Sequence, residues 1–181
     1  QTPAPTVPLP AAAPGSVADA VARVEPAVVN IDTTVRVRRR SFEPGSFPDS
    51  PWGRSTIEEV PVPQGMGTGV LVAADGVVLT NNHVIRQAQG ITVTLADDRQ
   101  FTAKVLGTDP ITDLAILKID DTRPFPVARL VSSQGVRTGE WVVALGNPLG
   151  IGQTATVGVL SARGRRLPDA SQALSDLLQT D

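Results

Sequence analysis

Apolar residues recur along this chain at two different periods. Between Ser16 and Pro26, residues Val17, Ala20, Val21 and Val24 fall at helical spacing, with Ser16 placed to cap, Asp19 in the first turn and Pro26 as a stop. A short amphipathic helix is predicted there. The period then shortens, and Ala27 to Val37 is β-branched and alternating, as a strand requires. Beyond Gly65 the chain becomes a series of short apolar runs at 69–73, 77–81, 91–96, 101–106, 113–119, 139–145 and 155–162, divided by turn signals such as Asp75-Gly76, Asp97-Asp98 and Gly107 to Pro110. Helical patterns do not alternate with these runs, so an all-β barrel or sandwich is favoured over a parallel α/β sheet.

Prolines separate a loop-rich third from the rest: 11 of 16 lie in residues 1–63. Residues 1–15 read as a Pro/Ala-rich extended tether, and Pro3, Pro5, Pro8, Pro10 and Pro14 rule out a membrane-spanning helix over Gln1–Ala18. A chain that starts at Gln1 is expected to have been processed or trimmed. Residues 38–63 open with Arg38-Arg39-Arg40 and contain Pro44, Gly45, Pro48, Pro51, Gly53, Pro61 and Pro63, so a long loop without regular structure is expected. Phe42, Phe47 and Trp52 lie in it, candidates either to anchor another chain or to pack locally.

A length of 181 residues fits one or at most two small domains. Sixteen basic against 18 acidic side chains, net −2, leave no electrostatic footprint for nucleic acid and no polybasic membrane patch. With no cysteine and one histidine, disulfides, thiolate metal sites and imidazole zinc sites are all excluded, and no cofactor is expected. The chain is 41% hydrophobic but 3% aromatic, with no tyrosine, so the core must be built mainly from Val, Leu, Ile and Ala. The glycine cluster at 65–69 precedes a strand instead of opening a helix, which argues against a dinucleotide loop, and Gly146 to Gly150 lacks the Lys-Ser/Thr of a phosphate loop.

Imidazole chemistry near neutral pH falls to His83, the sole histidine. It ends the run Val77-Val78-Leu79-Thr80, in T-N-N-H-V-I, where the following residues allow one helical turn. Asp113 heads the nearly all-apolar T-D-L-A-I-L-K-I. A carboxylate in that place would be half buried and would need a donor, and His83 is a candidate. The pair could serve catalysis, or its members could merely satisfy each other in a structural β domain.

Four strings in series carry a specific resemblance: G-T-G-V-L-V…D-G-V-V-L-T-N-N-H-V-I, D-P-I-T-D-L-A-I-L-K-I, G-E-W-V-V-A-L-G-N-P-L-G and V-G-V-L-S-A-R-G-R. In this order and spacing, over about residues 60–181, they resemble the HtrA/Deg family of trypsin-like serine proteases. The resemblance implies a trypsin-like antiparallel double β-barrel. A helix and a complete N-terminal barrel would occupy 16–125, with 38–63 as the family's variable loop, and 126–181 would begin the C-terminal barrel. His83 matches the general base and Asp113 the carboxylate that orients it, while Arg165 falls where the family has a regulatory sensor-loop arginine. The physics of the triad agrees, since a serine hydroxyl is a weak nucleophile until an imidazole of fixed tautomer accepts its proton.

The resemblance also implies what lies beyond these residues. Leu177 to Asp181 looks like the lead-in to the family's Gly-Asn-Ser-Gly-Gly element, and Ser132, Ser133, Ser161, Ser171 and Ser175 lack a Gly-x-Ser-Gly setting. Residues 1–181 are therefore expected to be inactive alone, the remainder being supplied by an associated fragment, a neighbouring molecule or a longer chain. By the same resemblance the activity is extracytoplasmic quality control in the bacterial periplasm or cell envelope. The substrates are unfolded or misfolded proteins and the assembly a homo-oligomer, a trimer in common members. The alternative is a non-catalytic pseudoprotease or chaperone-like binding module on the same fold.

Overall fold

The computed structural model describes residues 15–42, 55–146, 153–165 and 176–181. Helix α1 (Val17–Val24) starts as its capping signal predicts: Ser16 Oγ accepts from the Asp19 amide at 3.2 Å, and the Asp19 carboxylate accepts from the Ser16 amide at 3.2 Å. A single 3₁₀ turn over Glu25–Ala27, with Pro26 inside it, leads into the first strand.

Strands β1 (Val28–Phe42) and β2 (Ser55–Ala73) pair antiparallel from Val28↔Val70 out to Phe42↔Ser55. This corrects the expectation of a loop without regular structure over 38–63, since both ends of that segment are strand. The reason lies in cross-strand chemistry. Arg38 faces Glu59 and Arg39 faces Glu58, so the basic run is matched by acids on its neighbour, with Arg38 Nε 3.4 Å from Glu59 Oε1. Pro61 and Pro63 are tolerated because β3 joins β2 only at Val70–Ala73, leaving the proline stretch with a single neighbour. Phe42 ends β1, while Phe47 and Trp52 lie outside the described residues.

The chain continues through β3 (Val77–Asn81), the one-turn helix α2 (Asn82–Ile85), β4 (Gly90–Thr94), β5 (Gln100–Thr102), β6 (Lys104–Asp109) and β7 (Leu114–Lys118). The apolar run at 101–106 thus divides at Ala103, whose amide turns aside to donate to Ile91 O at 2.9 Å. These strands form one sheet in the order β5-β4-β1-β2-β3-β7-β6, curled so that its two edge strands are consecutive in the chain. Among the described residues no ladder joins β5 to β6, so the N-terminal barrel expected to be complete is a curled sheet closed at Ala103 by chain continuity.

Inside the curl lie Val29, Ile31, Leu71, Val78, Val93, Leu117 and Ile119, all without exposure, an aliphatic core of the kind the composition requires. Its aromatic corner is an edge-to-face pair, Phe101 and Phe125, with ring centroids 5.3 Å apart. The Asp75-Gly76 turn is fixed from two sides. Gly76 has φ +96°, and a Cβ there would run into the carbonyl of Ile119.

A second sheet, in the order β10-β9-β8, is made of β8 (Trp141–Gly146), β9 (Thr154–Arg165) and β10 (Leu177–Thr180). Leu177 to Asp181, read from sequence as a lead-in segment, is mostly strand: L-L-Q-T is too short to show a period. Gln153 Nε2 donates to Val28 O at 2.9 Å and ties the start of β9 to the start of β1. Among the described residues, no helix is long and apolar enough to cross a membrane.

Candidate active site

Two residues separated by 30 positions meet because β3 and β7 are hydrogen-bonded neighbours. The ladder runs from Val77↔Lys118 to Asn81↔Leu114, so the residues just after Asn81 and just before Leu114 emerge side by side at one end of the sheet. Asp113 stands before the first residue of β7, and His83 is the second residue of α2. His83 Nδ1 lies 2.6 Å from Asp113 Oδ2, and the His83 amide donates to Asp113 Oδ1 at 2.9 Å. Three further donations come from the residues before His83. The Asn82 amide reaches the Asp113 carbonyl at 3.0 Å, and Asn81 Nδ2 reaches that carbonyl at 3.1 Å and Oδ2 at 3.3 Å.

The loop ahead of Asp113 is shaped by another carboxylate. Asp109 Oδ1 accepts from the amides of Ile111 at 2.9 Å and Thr112 at 3.4 Å, and Asp109 Oδ2 accepts from Thr112 Oγ1 at 2.7 Å. This turn delivers Asp113 with φ +55°, a left-handed backbone that aspartate adopts more readily than most residues.

The electrostatics follow from these contacts. Hydrogen bonds from the His83 ring and then from the His83 amide outweigh burial and hold the Asp113 carboxyl below its usual range. Asp113 is therefore ionised at neutral pH and can only accept, so the proton between it and the ring sits on His83 Nδ1. A neutral ring protonated at Nδ1 carries its lone pair on Nε2. The Asp113 side chain is 32% exposed, half-buried as its place ahead of an apolar strand predicts, and that of His83 is 68% exposed. The pair thus presents an oriented base to the surface.

The other sequence candidates fall elsewhere. Arg165 ends β9 opposite Leu177, its side chain exposed and without a hydrogen bond or ion pair to any described residue, in the sheet that does not carry His83. Ser161 Oγ donates to Val159 O at 3.4 Å within β9, and Ser132 Oγ accepts from the Gln134 amide at 3.3 Å to cap a 3₁₀ turn. Both are local structural uses. Ser171 and Ser175 lie outside the described residues. Sequence reasoning missed Asn81 and Asp109. Asp109 carried a signal, an Asp three residues before a Thr in D-P-I-T-D, but Asn81 was hidden because only the β3–β7 register places it beside Asp113.

The sequence pattern of the trypsin-like peptidase domain matches residues 67–181. A probable periplasmic serine endoprotease, DegP-like, of Pseudomonas fluorescens is 42% identical over 89% of this chain, and one of Rickettsia conorii is 35% identical over 92%. The chain spans 37% and 35% of those two relatives' lengths. Among solved structures, the HtrA-type protease AlgW with a decapeptide superimposes with a TM-score of 0.73 at 40% identity, covering 92% of this chain and 51% of that one. A strand-end His–Asp pair on a curled β-sheet, a matching domain pattern and relatives of this identity together place the chain in the trypsin-like peptidase family, as a member of its HtrA-type serine proteases.

Proposed function

We propose that residues 1–181 supply the general base and its orienting carboxylate to an HtrA-type serine endopeptidase that degrades unfolded or misfolded proteins outside the bacterial cytoplasm. The observation that carries this reading is the 2.6 Å contact between His83 Nδ1 and Asp113 Oδ2, with the other carboxylate oxygen held by the His83 amide. Catalysis then runs by acyl transfer. His83 Nε2 takes the proton of a serine hydroxyl as that oxygen attacks the scissile carbonyl, and returns it to the leaving amine as the peptide bond breaks. Asp113 stays ionised throughout, fixing the tautomer and stabilising the imidazolium. No serine after Asp113 in this chain has the glycine neighbours of a nucleophile turn, so the nucleophile is assigned to a residue outside 1–181. Relatives named as periplasmic endoproteases support the location. Assembly as a homo-oligomer, trimeric as in common family members, and coupling through Arg165 belong to the same reading.

The test is turnover of a denatured protein such as casein by the full-length enzyme. Asp113→Asn is expected to lower kcat by about 10⁴ through the wrong tautomer, and His83→Ala by about 10⁶. Casein degraded by the His83→Ala enzyme at the parent rate sinks the assignment.

A further inference from the structure

We propose that Asn81 is a positioning residue for the His83–Asp113 pair: one side-chain amide holds both the main-chain carbonyl and the Oδ2 oxygen of Asp113. The inference rests on the function proposed above and on two contacts, Asn81 Nδ2 to Asp113 O at 3.1 Å and to Asp113 Oδ2 at 3.3 Å.

Three features separate this arrangement from an ordinary strand-end contact. Oδ2 is the same oxygen that meets His83 Nδ1 at 2.6 Å. The terminal torsion of an aspartate is broad and nearly free by itself, so a second donor on that oxygen restricts the rotation that would carry the carboxylate away from the ring. Asp113 also has φ +55°, a backbone that costs a non-glycine residue free energy unless its surroundings fix it. Asn81 Nδ2 and the Asn82 amide converge on its carbonyl and do so. Finally, the donors to Asp113 from this side come from three consecutive residues, Asn81 to His83. Of these donors, only the Asn81 amide can be removed without touching either the backbone or the base. Its own main chain is held independently in the β3–β7 ladder, opposite Leu114.

Asn81 therefore acts through Asp113, not on substrate. It couples the register of two strands to the orientation of the imidazole, so that the base is aligned before any substrate arrives. A merely structural asparagine at a strand end would contribute to stability and leave the ring's tautomer alone.

The experiment uses the full-length enzyme and two variants, Asn81→Ala, which deletes the amide, and Asn81→Asp, which keeps its shape but replaces the donor with a like charge beside Asp113. The first readout is the imidazole ¹⁵N spectrum, with His83 identified by the signals that vanish in His83→Ala. The parent is expected to show the Nδ1-protonated neutral tautomer, and both variants a mixture of tautomers with a faster-exchanging Nδ1 proton. The second readout is the pH profile of casein turnover. Asn81→Ala should lower kcat by about 10- to 100-fold with KM unchanged, as loss of support behind a reacting group typically does, and Asn81→Asp should lower it further. Folded variants with the parent's tautomer and profile overturn the proposal. Because the spectrum needs no turnover, it decides the Asn81 contact even where intact proteolysis by His83→Ala overturns the protease reading.

Discussion

The two sheets use the same aliphatic alphabet and differ in what they do with it. In the seven-stranded sheet, alternation along a strand becomes alternation of burial: Leu71, Val78, Val93 and Leu117 are fully enclosed while their neighbours in sequence are partly or wholly exposed. In the three-stranded sheet Leu160 is the one buried residue among those described, and Trp141 is 75% exposed, Val157 46% and Leu178 46%. Period-two patterning makes a strand in both places, but only a sheet that curls round on itself has an inside. Chemistry follows the same division. His83 and Asp113 both emerge from the end of the enclosed sheet, where the β3–β7 ladder fixes their spacing, while Arg165 stands on the open one.

The strongest test of this contrast is one truncation in each sheet. Leu117→Ala, deep in the curl, is expected to cost about 2–5 kcal/mol, the usual range for a buried Leu-to-Ala change that leaves a cavity. Leu178→Ala, on β10, should stay within about 0.5 kcal/mol. Urea unfolding of both variants decides it, since equal losses would mean that β10 is enclosed in solution and the two sheets do not differ.

Much of this contrast was legible in the sequence, and the reasons it was or was not are physical. The strand at Val77–Asn81 matched its expected bounds because apolar alternation and the Asp75-Gly76 turn act within a few residues of each other. The helix start was legible for the same reason, with Ser16 and Asp19 three residues apart. The failure over 38–63 came from reading Arg38 to Arg40 without their partners: Glu58 and Glu59 neutralise them only across a ladder spanning some 20 residues of chain. The candidate base and carboxylate were visible as residue types at strand ends, whereas Asn81, two residues from His83, was not. Its role depends on which residue of β7 lies opposite, and register is a long-range property.

A second test uses acid. Asp97, Asp109, Asp113, Asp120 and Asp121 in the first sheet and its loops, and Glu140 ahead of β8, all have carboxyls held below their ordinary values. For Asp113 the leading cause is the His83 ring, for Asp120 the Lys118 ammonium, and for Glu140 the Arg137 guanidinium. A carboxyl with a lower pKa folded than unfolded contributes stability above its unfolded value, near 3.8 for aspartate, and loses it as pH falls through the folded value. Thermal stability is therefore expected to hold against these groups down to roughly pH 5 and to decline modestly below about pH 4, since the groups are solvent-screened. Five of the six groups belong to the first sheet, so its amides should lose hydrogen-exchange protection first on acidification. Protection lost first in β8–β10 would reverse the assignment.

The smallest expected effect concerns α1, which stands outside both sheets: none of its eight residues is buried, although Val17, Ala20, Val21 and Val24 make an apolar stripe. An element with no fully enclosed residue, its Ala20 and Val21 only half-buried, opens on its own, below the free energy of the whole fold. Ser16→Ala removes the hydroxyl that accepts from the Asp19 amide but keeps the reverse bond from the Ser16 amide to the Asp19 carboxylate, so the loss should be about 0.5–1 kcal/mol, the low end for an N-cap. That converts to an amide exchange rate roughly 2- to 5-fold faster at Asp19, Ala20 and Val21. Amides of the enclosed strands, such as those of Val78 and Val93, should exchange at the parent rate. Faster exchange there would mean that the helix and the curled sheet unfold as one unit.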